Sequence, residues 1–281
     1  MEDFLLAWSL FRDTWLTALM LAALLPFCGV VLLLRRQVFL GAAVGQAASL
    51  GIALTLWLGL GEGHADHGSS TPALAAGLLA AMITAVLALR SLSGGGSDLE
   101  ARSALVFLLG GSGAMVLLAD APHGMQELQR LLLSSLLGAS IREVLIAAAL
   151  LVATAAIAVA RSRRILLWAT DPATSAALGV PVLRYDVLVG AWLGGCLGFA
   201  IHTAGLPFAF GAAVLPVLLA RELCGSLHAV ILAAPVIGVI SAAVGLVAAH
   251  TADRPPGQAA VLVAALGLAI VRLFHLLRGT G

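Results

Sequence analysis

The chain is dominated by apolar runs about as long as a bilayer is thick. A helix rises 1.5 Å per residue, so roughly 20 apolar residues cross the hydrocarbon. Runs of that size fall at about 14–34, 40–61, 72–91, 103–119, 143–160, 185–204, 206–220, 228–250 and 258–277, with only short loops between them. Hydrophobic residues make up 61% of the chain and charged ones 10%, against roughly 25% charged in a soluble domain. So much apolar surface requires lipid. The predicted fold is all-α: a polytopic transmembrane bundle of about nine spans, in one membrane domain over 1–281. The stretch 206–220 widens the range to eight to ten. It is short and carries Pro207 and Pro216, so it reads as a broken or partly inserted helix.

The cations are all arginine, because the chain has no lysine. That excludes Schiff-base chemistry and a phosphate-loop lysine. With an outside N-terminus, Arg35, Arg36, Arg90, Arg102, Arg161, Arg163, Arg164, Arg184, Arg221, Arg272 and Arg278 fall inside. Only Arg12, Arg130, Arg142 and Arg254 fall outside. Arginine on the inner side sets topology, and the bias predicts this orientation. The net charge of +1 offers no basic patch for nucleic acid. Cys28, Cys196 and Cys224 are far apart and form no C-x-x-C pair, so neither a zinc knuckle nor a disulfide framework is expected. The opening MEDFLLAWSLFRD is acidic and lacks a cleavage pattern, so no removable signal peptide is expected.

Small residues recur at spacing four: Gly41, Gly45 and Ser49; Gly190, Gly194 and Gly198; Ser241 and Gly245. Such faces let helix backbones approach closely in lipid. Within the first of them sits Gln46. An unpaired buried amide is costly, so Gln46 reads either as an interhelical hydrogen bonder or as a residue lining a translocation path. His202 and His250 lie near the outer ends of their spans, where an ionisable residue is by default a functional candidate. His64, Asp66 and His67 form H-A-D-H in an outer loop, which reads as metal capture at the mouth or as a plain polar loop. LSGGGS at 92–97 superficially resembles an ATP-binding cassette signature. No G-x-x-x-x-G-K-[ST] accompanies it, so this chain builds no phosphate cradle. No G-x-S-x-G, H-E-x-x-H or paired intramembrane carboxylates appear, and no catalytic residue is nominated. The stretch 161–179 reads as an inner loop.

Four motifs occur in order. LLRRQVFLGAAVGQAASLGIAL (33–54) has an Arg-Arg, Phe-Leu-Gly entry. DPATSAALGVP (171–181) has Asp-Pro, then Gly-Val-Pro. GLPFAFGAAVLPVLLAREL (205–223) has Gly205, then Pro216, Ala220 and Arg221. GLVAAHTADRPPG (245–257) has Gly245, Asp253, Pro255 and Gly257. Together they resemble the permeases of metal-type ABC importers over nearly the whole chain.

The resemblance implies a membrane subunit, not an enzyme, that binds no cofactor and moves zinc, manganese or iron by alternating access. It implies cytoplasmic ABC ATPase subunits, a second permease subunit in a homo- or heterodimer, an extracytoplasmic solute-binding protein and a bacterial inner membrane around it. It also implies a coupling segment at about 213–227, with Pro216, Arg221, Glu222 and Leu223 meeting the ATPase. In the family the Phe-Leu-Gly is typically followed by Asp, and by His four residues later, on one helix face. Those positions are Ala42 and Gln46 in this chain. The alternatives are a ligand-poor half of a heterodimer, a metal path using Gln46, His202 and His250, a permease for another small solute, or a stand-alone secondary transporter. The last would call for inverted repeats and midplane charges.

Overall fold

A computed structural model describes residues 2–59, 71–90, 96–119 and 139–278, and every regular element among them is helical. The order is α1 (Glu2–Leu34), α2 (Leu40–Trp57), α3 (Thr71–Arg90), α4 (Gly96–Ala119), α5 (Ile141–Thr170), α6 (Pro172–Ala177), α7 (Val182–Ala204), α8 (Leu206–Leu223), α9 (Leu227–Ala252) and α10 (Pro256–Leu277). Nine helices among the described residues, all but α6, are long and apolar enough to cross a membrane. Length and composition thus place the spans where the apolar runs predict them.

Two stretches differ from the sequence reading. α8 is one continuous helix through Pro216. Pro207 sits in its first turn, where a missing N–H costs nothing because it would have no intrahelical partner. Pro216 is buried, and its ring shares a small apolar cleft with Ala212, Gly238, Ser241 and Ala260. Tertiary packing there supports the helix that an isolated proline would break. The second difference is 161–179, which is mostly helical. α5 runs on to Thr170, keeping Arg161, Arg163 and Arg164 exposed while Trp168 is fully buried. The short α6 follows.

The chain divides into two compact units. The first takes α1 as far as Val30, α5 from Ile141 to Ala158, and the chain from Thr203 onward. In it α8, α9 and α10 pack on one another. Gly29 leaves no room for a Cβ against the Ala213 carbonyl, nor Gly238 against that of Ala22, nor Gly245 against the Ala260 backbone. The second unit takes the rest of the described chain through His202. There α2 packs on α3 and α4. A Cβ at Gly190 would lie 2.8 Å from Val86 Cα, and one at Gly194 would lie 2.5 Å from Met82 Cα. The small-residue face of α7 therefore serves close backbone approach to α3, as its spacing predicts.

Candidate functional site

The buried face of α2 carries Ala42, Gln46 and Ser49, and all three are under a tenth exposed. α4 meets this face with glycines. A Cβ on Gly110 would lie 2.7 Å from the Gln46 backbone carbonyl, and one on Gly111 would lie 3.1 Å from Gln46 Oε1. Gly110 thus lets α4 approach the α2 backbone at Gln46, and the amide lies beside Gly111. Ser49, one helical turn on, donates to the Gly45 carbonyl at 3.2 Å. Ser49 also lines a small cleft with Ile52, Gly77, Gly198 and the half-buried His202. The second unit therefore brings His202 beside Ser49 of α2, while the Gln46 amide faces Gly111 of α4.

His250 lies elsewhere, exposed near the end of α9 in the first unit. The H-A-D-H residues His64, Asp66 and His67 lie outside the described residues. Among the described residues no three His, Cys, Asp or Glu side chains come together as a metal cluster. The polar side chains here are an amide and a hydroxyl on α2 and one imidazole on α7, a poor set for holding zinc or manganese tightly.

The segment 213–227 is the end of α8, a three-residue turn and the first residue of α9. Ser226 caps α9, its hydroxyl accepting from Ala229 N at 3.3 Å. Arg221 and Leu223 are exposed at the tip. Glu222 turns back to α10, where Arg272 Nε donates to its Oε1 at 3.1 Å and His275 Nδ1 lies 3.7 Å from Oε2. Pro216 is interior, so any partner at this tip meets Arg221 and Leu223 first.

A second turn is built quite differently. α1 ends with Gln37 N donating to Leu32 O at 2.8 Å and Arg36 N donating to Leu33 O at 3.1 Å. This Schellman ending needs a left-handed residue, usually glycine. Arg36 occupies it at φ 54°. The turn sends the two arginines opposite ways: Arg36 to the surface, Arg35 inward with a side chain 2% exposed. Arg35 Nη2 donates to Asp186 Oδ1 at 2.9 Å, and Trp168 Nε1 donates to the same oxygen at 2.9 Å. The guanidinium carbon sits 3.9 Å over the Trp168 ring, which stacks on Tyr185 with centroids 6.4 Å apart. Burial pulls the Arg35 pKa down to about 10, while Asp186 opposes the shift. The guanidinium stays charged at neutral pH.

α6 lies between Trp168 and Asp186 in sequence. Asp171 caps it, accepting from Thr174 N at 3.0 Å and from the Thr174 hydroxyl. Those hydrogen bonds, the hydroxyl's first, hold the Asp171 carboxyl below the usual range. Gly179, at φ 75°, closes the helix with a second Schellman pair: Val180 N to Ser175 O and Gly179 N to Ala176 O. Sequence reasoning missed Asp186 and Trp168. The available signal was one carboxylate at the start of the apolar span 185–204, on the same predicted side as the Arg35–Arg36 pair.

The ABC 3 transport family model matches residues 7–275. No curated protein sequence is significantly similar to the chain. Among solved structures, PsaBC from Streptococcus pneumoniae in complex with Fab matches with a TM-score of 0.75 at 19% identity, covering 96% of this chain and 94% of that one. An inward-facing structure assigned to a metal-chelate type ABC transporter matches with a TM-score of 0.70 at 18% identity, covering 95% and 88%. At these identities the structures speak for the fold, and the family match extends over nearly the whole sequence: the chain belongs to the ABC 3 transport family.

Proposed function

We propose that this chain is the membrane-spanning permease subunit of an ATP-binding cassette importer for divalent metal ions. The family match over residues 7–275 carries this reading. The multi-pass helical fold and its likeness to PsaBC support it. In this reading the chain sits in a bacterial inner membrane with its arginine-rich turns inside, beside a second permease subunit. A solute-binding protein delivers zinc, manganese or iron from outside. ATP binding and hydrolysis in separate subunits drive alternating access. Two features on the predicted inner side are open to those subunits: the α8–α9 tip with Arg221 and Leu223, and α6, whose Leu178 shoulder is 67% exposed.

Ala42 and Gln46 favour a second reading within the first. With no acidic or imidazole ligand on that face of α2, this chain is the ligand-poor half of a heterodimer or passes cargo that is not a bare ion. Gln46, Ser49 and His202 then offer hydrogen bonds along the path.

The test is to purify the tagged chain from its native membrane in mild detergent, identify its partners and reconstitute them in vesicles. An ATPase that copurifies, together with ATP-dependent uptake of radiolabelled zinc, manganese or iron, is expected. A sister permease carrying Asp and His at the two α2 positions would establish the heterodimer. A chain that purifies without an ATPase would overturn the importer reading.

A further inference from the structure

The least expected feature of the second unit is the buried group of Arg35, Asp186 and Trp168. Exchanging a buried ion pair for apolar residues of similar volume is often neutral or stabilising. Stability alone is therefore a weak reason for its presence. Its placement suggests another reason.

One carboxylate oxygen gathers donors from two other chain segments. Trp168 is in the last turn of α5, three residues before the cap of α6. Asp186 is in the second turn of α7, just beyond the return from α6. Their bond ties together the two stems of the α6 excursion. Arg35 adds a third segment, the turn that leads into α2 five residues later. α2 is the helix that presents Ala42, Gln46 and Ser49. α6 is closed at its start by Asp171 and at its end by Gly179, so a force on it passes to its stems.

The group also has the marks of a joint that rearranges. Among the described residues, Arg35 Nε, Tyr185 Oη and Ser175 Oγ are buried with no hydrogen-bond partner. Buried polar atoms are rarely left in that state. Arg36 holds a left-handed conformation that costs a non-glycine residue free energy. Strain of this kind gathers where a structure must switch.

We propose that Arg35, Trp168 and Asp186 are positioning residues that transmit displacement of α6 to α2, so that this joint couples the ATPase cycle to opening of the transport path. The proposal rests on the importer reading above, with the ATPase acting on α6. The joint carries no cargo and touches no nucleotide.

The test uses the whole transporter, permease with its copurified partners, in vesicles. Uptake and ATP hydrolysis are measured together for wild type, Asp186→Asn, Trp168→Phe and the double variant R35M/D186L. The expected result is a drop of about tenfold or more in metal taken up per ATP hydrolysed, within the range of ordinary coupling energies, while basal hydrolysis persists. Assembly with the ATPase and binding of the solute-binding protein are measured alongside, and both are expected to stay at the wild-type level; a loss of either that accounts for the fall in the ratio overturns the joint. The double variant removes both charges together, which guards against a single variant that fails to fold. A wild-type ratio in the folded double variant overturns the joint and leaves the importer reading standing. A wild-type preparation without ATP-driven uptake overturns both.

Discussion

Each unit carries an ion pair near a helix end, and the two are built in opposite ways. In the second unit, Arg35 and Asp186 are 2% and 9% exposed, and an indole covers the guanidinium. In the first, Arg272 and Glu222 are 54% and 29% exposed, with His275 alongside. The bond lengths are nearly equal, 2.9 and 3.1 Å. Distance therefore says little about what each pair does. Water access decides it: an exposed pair is screened and contributes about 0–1 kcal/mol, whereas a buried pair is costly to form and costlier to break.

That contrast is open to direct attack. The largest effect belongs to breaking the buried pair: Asp186→Ala or Arg35→Ala is expected to lower stability by roughly 3–5 kcal/mol, because a lone charge stays buried. The double exchange R35M/D186L should cost far less. Thermal unfolding in detergent reads both, and a single-variant loss below about 1 kcal/mol would mean that water reaches the pair after all. Next comes packing. Gly110→Ala and Gly194→Ala each place a Cβ against backbone, and overpacking of this kind costs about 1–3 kcal/mol. Gly225→Ala meets open space and should change little. Equal melting points for all three would show that the helices can separate to make room. The smallest effect belongs to the exposed pair: Glu222→Gln should cost no more than about 1 kcal/mol, shrinking as salt is added. A larger, salt-independent loss would place Glu222 in a protected environment.

The spans were legible because lipid imposes a length, and nothing else in the chain competes with runs of twenty apolar residues. Gly190, Gly194 and Gly198 were legible as a packing face for a similar reason: their period is that of the helix. Pro216 misled, because its cost is set by neighbours on α9 and α10 that lie far away in sequence. Arg161, Arg163 and Arg164 misled too. They look like a loop, yet the helix carries them past the apolar run and buries Trp168 one turn later. At the candidate site, Gln46 stood out by composition alone, and the structure explains its setting through Gly110 and Gly111. The link between Ser49 and His202 could not be read, since it depends on how α2 and α7 pack. Asp186 escaped notice because a lone carboxylate near the start of a span looks like an interfacial residue. Its buried role comes from Trp168 and from Arg35, the latter 151 residues upstream.

That separation has a consequence for how the protein is made. Arg35 leaves the ribosome 151 residues ahead of Asp186. At roughly 5–20 residues per second, its counter-charge is synthesised about 8–30 s later. During that interval Arg35 stands beside Arg36 without its counter-charge, and in the predicted orientation it adds to the positive charge expected to hold the α1–α2 turn inside while the first helices insert. Once α7 arrives, the guanidinium, still charged, is paired with Asp186 and buried. The arginine that is expected to help set topology early in synthesis is thus the one withdrawn from the surface afterwards.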